Sequence, residues 1–208
     1  MQILAHRGFW KTVEEKNTLE SFRRAFENGY GIETDIRDYE EKLVVSHNVA
    51  TKECFSFDEV LKLYSEMNMN TPLAINIKAD GIQNLLRADL EKYNIQNCFV
   101  FDMSIPEQVV YHKQEFNVFT RMSEYEKEPV LLEKSHGVWM DEWENSWISE
   151  KVIDQMRQQG KKVSIISPEI HGRDKANMWK FLKKYVDDAD VMLCTDTPAE
   201  AEEYFYGN

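Results

Sequence analysis

One pattern recurs eight times along the chain: a short apolar, β-branched run that ends in polar residues and passes into a stretch of helical periodicity. The runs are Gln2–Ala5, Gly31–Ile36, Leu73–Ile77, Cys98–Phe101, Val118–Arg121, Gly137–Met140, Lys162–Ile166 and Val191–Cys194. Their separation suits strand–helix units, whose parallel strands need a helical crossover. Eight such units predict a closed (β/α)8 TIM barrel. The alternative is an open doubly wound sheet, but no GxGxxG or GxxxxGK[ST] turn supports it. At 208 residues the chain is near the lower end for a barrel, so most loops must be short.

The helical stretches carry start and stop signals. Asn17-Thr18-Leu19-Glu20 reads as a capping box, Leu19, Phe22, Ala25 and Phe26 form an apolar stripe, and Gly29 ends it. Ser56 opens a second helix with Val60, Leu61 and Tyr64 inward, and Ser104 stands ahead of Pro106 at a third. Ser149 starts a stretch with Val152, Ile153 and Met156 inward that stops at Gly160, and Thr197-Pro198 opens the last helix. No Pro/Gly/Ser-rich linker or change of composition interrupts the pattern, so residues 1–208 read as one domain.

Composition narrows the function. Lys plus Arg number 25 against 37 Asp plus Glu, a formal charge of −12. Nucleic acid is excluded as a partner, because its binding needs a basic face that displaces counterions from phosphates. A hydrophobic fraction of 42% and a charged fraction of 30% fit a folded globular chain. No apolar run approaches the roughly 18–20 residues that span a bilayer, and Met1–Trp10 has no basic-then-apolar leader pattern. Cys54, Cys98 and Cys194 form neither a disulfide framework nor a CxxC site, so a cytoplasmic location is expected. Nothing in the sequence sets an oligomeric state.

In such a barrel, chemistry collects where the strands end. The ends read His6-Arg7-Gly8, Glu33-Thr34-Asp35, Asn76-Ile77-Lys78, Phe101-Asp102, Arg121-Met122-Ser123, Asp141-Glu142, Ser167-Pro168-Glu169 and Thr195-Asp196. Any one of these is an ordinary solvated loop start; together they point to a polar, cation-holding pocket. Glu33 and Asp35 share a face by the two-residue period of a strand. Two carboxylates that close repel unless a proton or cation intervenes, and a hard divalent ion suits oxygen ligands. Beyond them, Ile36–Tyr39 and Leu43–Val45 read as a hairpin turning at Glu40-Glu41, which brings His47 level with Glu33–Asp35. A histidine placed there is a candidate general acid or base. His6-Arg7-Gly8, on the neighbouring strand, adds a second proton carrier and a phosphate-gripping guanidinium.

In order and spacing these residues resemble the glycerophosphodiester phosphodiesterase family, within the phosphatidylinositol-phospholipase-C-like barrel superfamily. The resemblance is carried by Ala5-His6-Arg7-Gly8, Asn17-Thr18-Leu19-Glu20-Ser21-Phe22, Gly29–Asp35, Leu43–His47, Ile75–Lys78 and Thr195-Asp196-Thr197-Pro198. It implies a PLC-like phosphodiesterase barrel acting on a small-molecule phosphodiester with one divalent cation, Mg2+ or Ca2+. By that pattern His6 and His47 are the proton-transfer pair, Arg7 and Lys78 hold phosphoryl oxygens, and Glu33, Asp35 and the residue at Asn76 hold the metal. Short members with an Asn-x-Lys third strand also point toward phosphate metabolism of a surface glycan. The chain departs from the family at Glu15-Lys16, where Pro-Glu is usual, and at His47-Asn48, where His-Asp is usual. Most consequentially, Asn76 replaces the usual third acidic ligand, which leaves a weaker site unless Asp102 or Asp141 contributes. The stretch after His47 has no room for the family's small inserted lobe. Trp139, Trp143 and Trp147 read first as rim packing and second as pocket wall. His112 and His136 fall on a helix and before a strand, and His171 falls in the loop after the seventh strand, a loop position from which the pocket is reachable. Two other readings stand beside hydrolysis: a catalytically inactive barrel binding a phosphorylated ligand, and a metal-using sugar isomerase.

Overall fold

The structure is a computed structural model and describes residues 1–207. The strands are β1 Gln2–His6, β2 Gly31–Tyr39, β3 Lys42–Val45, β4 Leu73–Ile77, β5 Cys98–Phe101, β6 Phe119–Met122, β7 Gly137–Met140, β8 Lys162–Ile166 and β9 Val191–Thr195. The α-helices are α1 Leu19–Glu27, α2 Phe57–Glu66, α3 Gln83–Lys92, α4 Ile105–Lys113, α5 Glu150–Gln158, α6 Ala176–Leu182 and α7 Pro198–Tyr206. All strands but β3 run parallel in the order β5-β4-β2-β1-β9-β8-β7-β6. A single bridge between Val100 and Val118 brings β5 to β6 and nearly closes the cylinder. Val118 pairs only through that bridge, and β6 starts at Phe119, one residue later than the sequence pattern predicts. The result is the (β/α)8 barrel.

Two apolar cores follow from the strand period. Side chains on the outer face, among them Ile3, Ala5, Ile32, Ile36, Ile75 and Val138, pack under the helices. The inner face holds Leu4, Ala74, Phe99, Phe101, Phe119, Trp139, Ile166, Met192 and Cys194. Within this plug Phe101 stacks on Trp139 at 3.7 Å and Phe99 on Phe119 at 3.9 Å. Gly137 makes room for it, since a Cβ there would sit 2.6 Å from the Phe119 ring. Extending each inner row past the plug leads to His6, Glu33, Asp35, Asn76, Arg121, Asp141 and Asp196. The parity that fills the barrel therefore also aims a polar layer into its mouth.

Two local expectations shift. The cap of α1 is Thr18, one residue later than predicted, with Ser21 closing the capping box. This frees Asn17, whose left-handed backbone (φ 56°) turns its amide toward β2. The fifth of the eight units has no α-helix among the described residues: β6 connects to β7 through Ser123–His136 and one 3-10 turn, Leu132–Lys134. That stretch is dominated by Glu and Lys around Pro129 and lacks an apolar stripe, so it has little to bury against the barrel.

The hairpin forms as expected. Ile36 pairs with Val45 and Tyr39 with Lys42 around Glu40 and Glu41, both at positive φ (47° and 62°). Residues 46–56 then lead directly into α2.

Candidate active site

The mouth of the barrel holds a cavity of about 360 Å³. His6, Arg7, Glu33, His47, Asn76 and Lys78 line one side, and Arg121, Trp139, Asp141, Trp143 and His171 line the other. Six of the seven residues singled out from the sequence therefore face one space. The seventh, Asp35, lies just beneath, with Arg7 Nε 3.3 Å from its Oδ2 and Lys78 Nζ 3.6 Å from its Oδ1.

β1 delivers His6 and then breaks. Arg7 (φ 57°) and Gly8 (φ 89°) take left-handed backbone, and a Cβ on Gly8 would overlap Ser21. The turn is pinned by Arg7 N–H donating to Glu33 O (3.0 Å) and Asn17 N–H donating to Arg7 O (2.8 Å). The Asn17 amide donates to Asp35 Oδ2 at 2.9 Å and accepts from Thr34 Oγ at 3.0 Å. Asn17 thus joins the loop after β1 to the acidic pair.

His6 Nδ1 lies 2.6 Å from Asp196 Oδ1, while its Nε2 faces Glu33 Oε2 at 3.9 Å. With Asp196 accepting the Nδ1 proton, Nε2 is left as the basic nitrogen. Burial lowers the His6 pKa from its ordinary value, outweighing the Asp196 contact, so the ring is neutral and able to accept a proton. Burial alone would raise the Asp196 carboxyl, but the hydrogen bond from His6 and the charge of Lys16 hold it below the usual range. Lys16 Nζ is 3.2 Å from Asp196 Oδ2 and 4.4 Å above the Trp10 ring.

Glu33 and Asp35 are only 2% and 1% exposed. Burial, then the charge of Asp35, pushes the Glu33 carboxyl up to about 8. Glu33 Oε1 accepts one hydrogen bond, 3.3 Å from the Asn76 amide nitrogen. Glu33 Oε2, Asp35 Oδ1 and Asn76 Oδ1 are buried with no hydrogen-bond partner. Asn76 pairs with Asp35 across β2 and β4, so these side chains share a face. Buried oxygens are normally satisfied; three unmet ones around two acids are the donor set a hard cation takes. Two carboxylates and an amide fit Mg2+ or Ca2+. Among the described residues no group of three His, Cys, Asp or Glu forms a metal cluster, so the amide is needed to complete a set.

The two acids considered as substitute ligands are engaged elsewhere. Asp102 (φ 71°) meets Lys78 at 3.1 Å and Arg121 at 3.0 Å. Asp141, on β7's inner row, meets His171 Nε2 at 2.7 Å and accepts from Trp143 Nε1 at 2.7 Å. Its neighbour Glu142 points the other way and is structural, accepting from Trp147 and Ile148 N–H at 2.8 and 2.7 Å.

His47 stands exposed on the cavity rim, with Nδ1 3.1 Å from Asn48 Oδ1. The hairpin places it as its register predicts, since Ser46 N–H donates to Asp35 O at 3.0 Å. Arg37 then ties this rim to β4, donating to Lys78 O (2.7 Å) and His47 O (3.3 Å).

Among the tryptophans, Trp139 and Trp143 line the cavity, whereas Trp147 borders the adjoining cleft and donates to Asp141 O. His171 reaches the cavity; His112 and His136 do not line it. Sequence reasoning missed Asn17, Lys16, Arg37 and the role of Asp196. Asp196 had a signal: β9 must neighbour β1 in a closed barrel, which sets it beside His6.

Solved phosphodiesterases share this fold. A proposed glycerophosphodiester phosphodiesterase from Galdieria sulphuraria superposes with a TM-score of 0.78 at 18% identity, covering 98% of this chain and 97% of that one. An Oleispira antarctica phosphodiesterase in complex with the product sn-glycerol-3-phosphate gives 0.68 at 15% identity, covering 98% and 96%. A Ca2+-dependent phosphatidylinositol-specific phospholipase C from Streptomyces antibioticus gives 0.59 at 9% identity, covering 100% and 98%. No protein-family model matches the chain, and no curated protein matches it in sequence. The chain has the barrel fold seen in these phosphodiesterases. No described helix is long and apolar enough to cross a membrane.

Proposed function

We propose that the chain is a phosphoric diester hydrolase that cleaves a small phosphodiester, of the glycerophosphodiester kind, with one divalent cation and two histidines. One observation carries this reading: three buried oxygens without hydrogen-bond partners, on Glu33, Asp35 and Asn76, lie at or just beneath a cavity that His6, His47, Arg7 and Lys78 line. The product glycerol phosphate held by the Oleispira antarctica protein of the same fold supports the substrate class.

Glu33, Asp35 and Asn76 would hold the cation, which when bound polarises the phosphoryl group and offsets the charge developing on it. Because Asn76 brings no charge, the two carboxylates would balance a dication without overbalancing it, so the site does not repel an anionic diester as a third carboxylate would. Arg7 and Lys78, both drawn toward Asp35, present their remaining N–H groups to phosphoryl oxygens. His6 Nε2, its tautomer set by Asp196, removes the proton from the attacking hydroxyl. His47, across the acidic pair on the exposed rim, protonates the departing alkoxide. The attacking hydroxyl is that of water or of a neighbouring group on the substrate; the first gives a monoester directly, the second a cyclic phosphate. A place in surface-glycan phosphate metabolism rests on the sequence resemblance and is tested with glycan-derived diesters.

The test is hydrolysis of a panel of glycerophosphodiesters with Mg2+, Mn2+ or Ca2+, with and without chelator. Chelator-sensitive turnover is expected, falling by about 100-fold or more in His6→Ala and in His47→Ala. Turnover untouched by both substitutions would overturn the roles assigned to the histidines. Asn76 favours a second reading, an inactive barrel that binds a phosphorylated ligand; binding of sn-glycerol-3-phosphate without turnover of any diester would select it.

A further inference from the structure

The phosphoryl machinery sits on β1, β2 and β4, and the cavity continues to the opposite wall, built from β7, β8 and their loops. That wall has an apolar face, from Trp139, Trp143, Ile166 and Ile170, and a polar edge, the Asp141–His171 pair. The hydrolytic scheme uses neither Asp141 nor His171. Their contact is short, 2.7 Å between His171 Nε2 and Asp141 Oδ1, and both are partly open to the cavity, with side chains 27% and 18% exposed. The other Asp141 oxygen fixes the Trp143 indole at 2.7 Å. His171 Nδ1 has no partner among the described residues.

Charge and chemistry limit what this wall can take. Each acid on or beside it already has a partner: Asp141 the His171 ring, Glu126 the Arg121 guanidinium at 2.9 Å, and Asp102, after β5, both Lys78 and Arg121. A cationic arm therefore finds no uncompensated carboxylate, and an anionic arm meets Asp141 and Glu126. A plain alkyl arm would cover the carboxylate–imidazole edge and leave it unmet. A neutral arm bearing hydroxyls satisfies both parts. Its C–H face lies on indole, and its hydroxyls donate to the carboxylate and exchange hydrogen bonds with the imidazole.

We propose that the β7–β8 wall is the subsite for the diester's alcohol arm, and that Asp141 and His171 select an arm carrying hydroxyls, a polyol or sugar. This rests on the phosphodiesterase reading above, and it assigns a specificity role to His171, Asp141 and Trp143. The probes are glyceryl methyl phosphate and propyl methyl phosphate, which differ only in the hydroxyls of one arm. Their Kd values are measured by titration calorimetry with Mg2+ in the His47→Ala protein, where turnover is blocked. The glyceryl diester is expected to bind about 10-fold tighter or more, because a site built for hydroxyls penalises an arm that lacks them. Adding His171→Gln or Asp141→Asn should reduce that ratio to about twofold or less while leaving the propyl diester's Kd nearly unchanged. Equal binding of the two diesters before either change overturns the subsite, as does a ratio that survives both changes. Equal weakening of both ligands in both variants marks the pair as scaffold and also overturns it. Turnover of glyceryl methyl phosphate by the unaltered protein reports separately on hydrolysis. Discrimination without turnover removes the enzyme and keeps the subsite, and turnover without discrimination removes only the subsite.

Discussion

Burial and the adjacent Asp35 raise the Glu33 carboxyl to about 8, although Arg7, Lys78 and the Asn76 amide each pull it down. Its folded value thus lies above its ordinary 4.5, so between these limits the folded protein binds more protons than the unfolded chain. Stability from this residue is full at low pH and is lost as pH rises toward 8. With chelator present, thermal melts should show Tm falling across that window, and Glu33→Gln should flatten the fall. An unchanged pH slope in Glu33→Gln would assign it to other groups. The same logic makes a bound cation most stabilising at the alkaline end, where the carboxylate is exposed to Asp35 without a proton between them. At Asn76 the expectation has the opposite sense. Asn76→Asp adds a third charge to the donor set, and Mg2+ affinity measured by calorimetry should rise about 10-fold or more, with weaker binding of sn-glycerol-3-phosphate. An affinity that stays level would remove Asn76 from the cation site. These residues were readable because ExD and its strand register are local facts. Asn17 was not, because its role depends on the α1 cap moving one residue onward, a choice between two adequate capping residues.

At the scale of elements, the β2–β3 hairpin delivers His47, and its turn is built from Glu40 and Glu41, both left-handed. Such a turn prefers Asn-Gly, since residues with a Cβ are strained there. The double substitution Glu40→Asn, Glu41→Gly should raise stability by about 1–2 kcal/mol in denaturant titrations, with turnover unchanged. A loss of stability would show that the two glutamates make contacts that outweigh the strain. The strands were legible because each inner face is a short run whose polar successor inherits its parity, as Leu4 passes to His6 and Trp139 to Asp141. The missing fifth helix was not, because strand-to-strand spacing measures the length of a crossover and not its conformation. Ser123–His136 has the length for a helix but neither the stripe nor the uninterrupted backbone. Arg37 escaped for another reason: it shares the parity of Glu33 and Asp35 but lies beyond them on β2 and reaches Lys78 and His47 only through their carbonyls.

For the whole molecule, a net charge of −12 opposes the approach of an anionic diester. The barrel brings Arg7, Lys16, Lys78 and Arg121 to one cavity, but acids partner each of them. Those pairs leave little free positive charge, so the divalent cation is the element that would admit the substrate. The direct measurement is phosphorus NMR of glyceryl methyl phosphate with the purified protein, first in chelator and then with excess Mg2+ or Ca2+. No product is expected in chelator, product once the cation is restored, and none under either condition in His6→Ala. Product formed at an undiminished rate in chelator, or by His6→Ala with the cation present, would contradict that expectation.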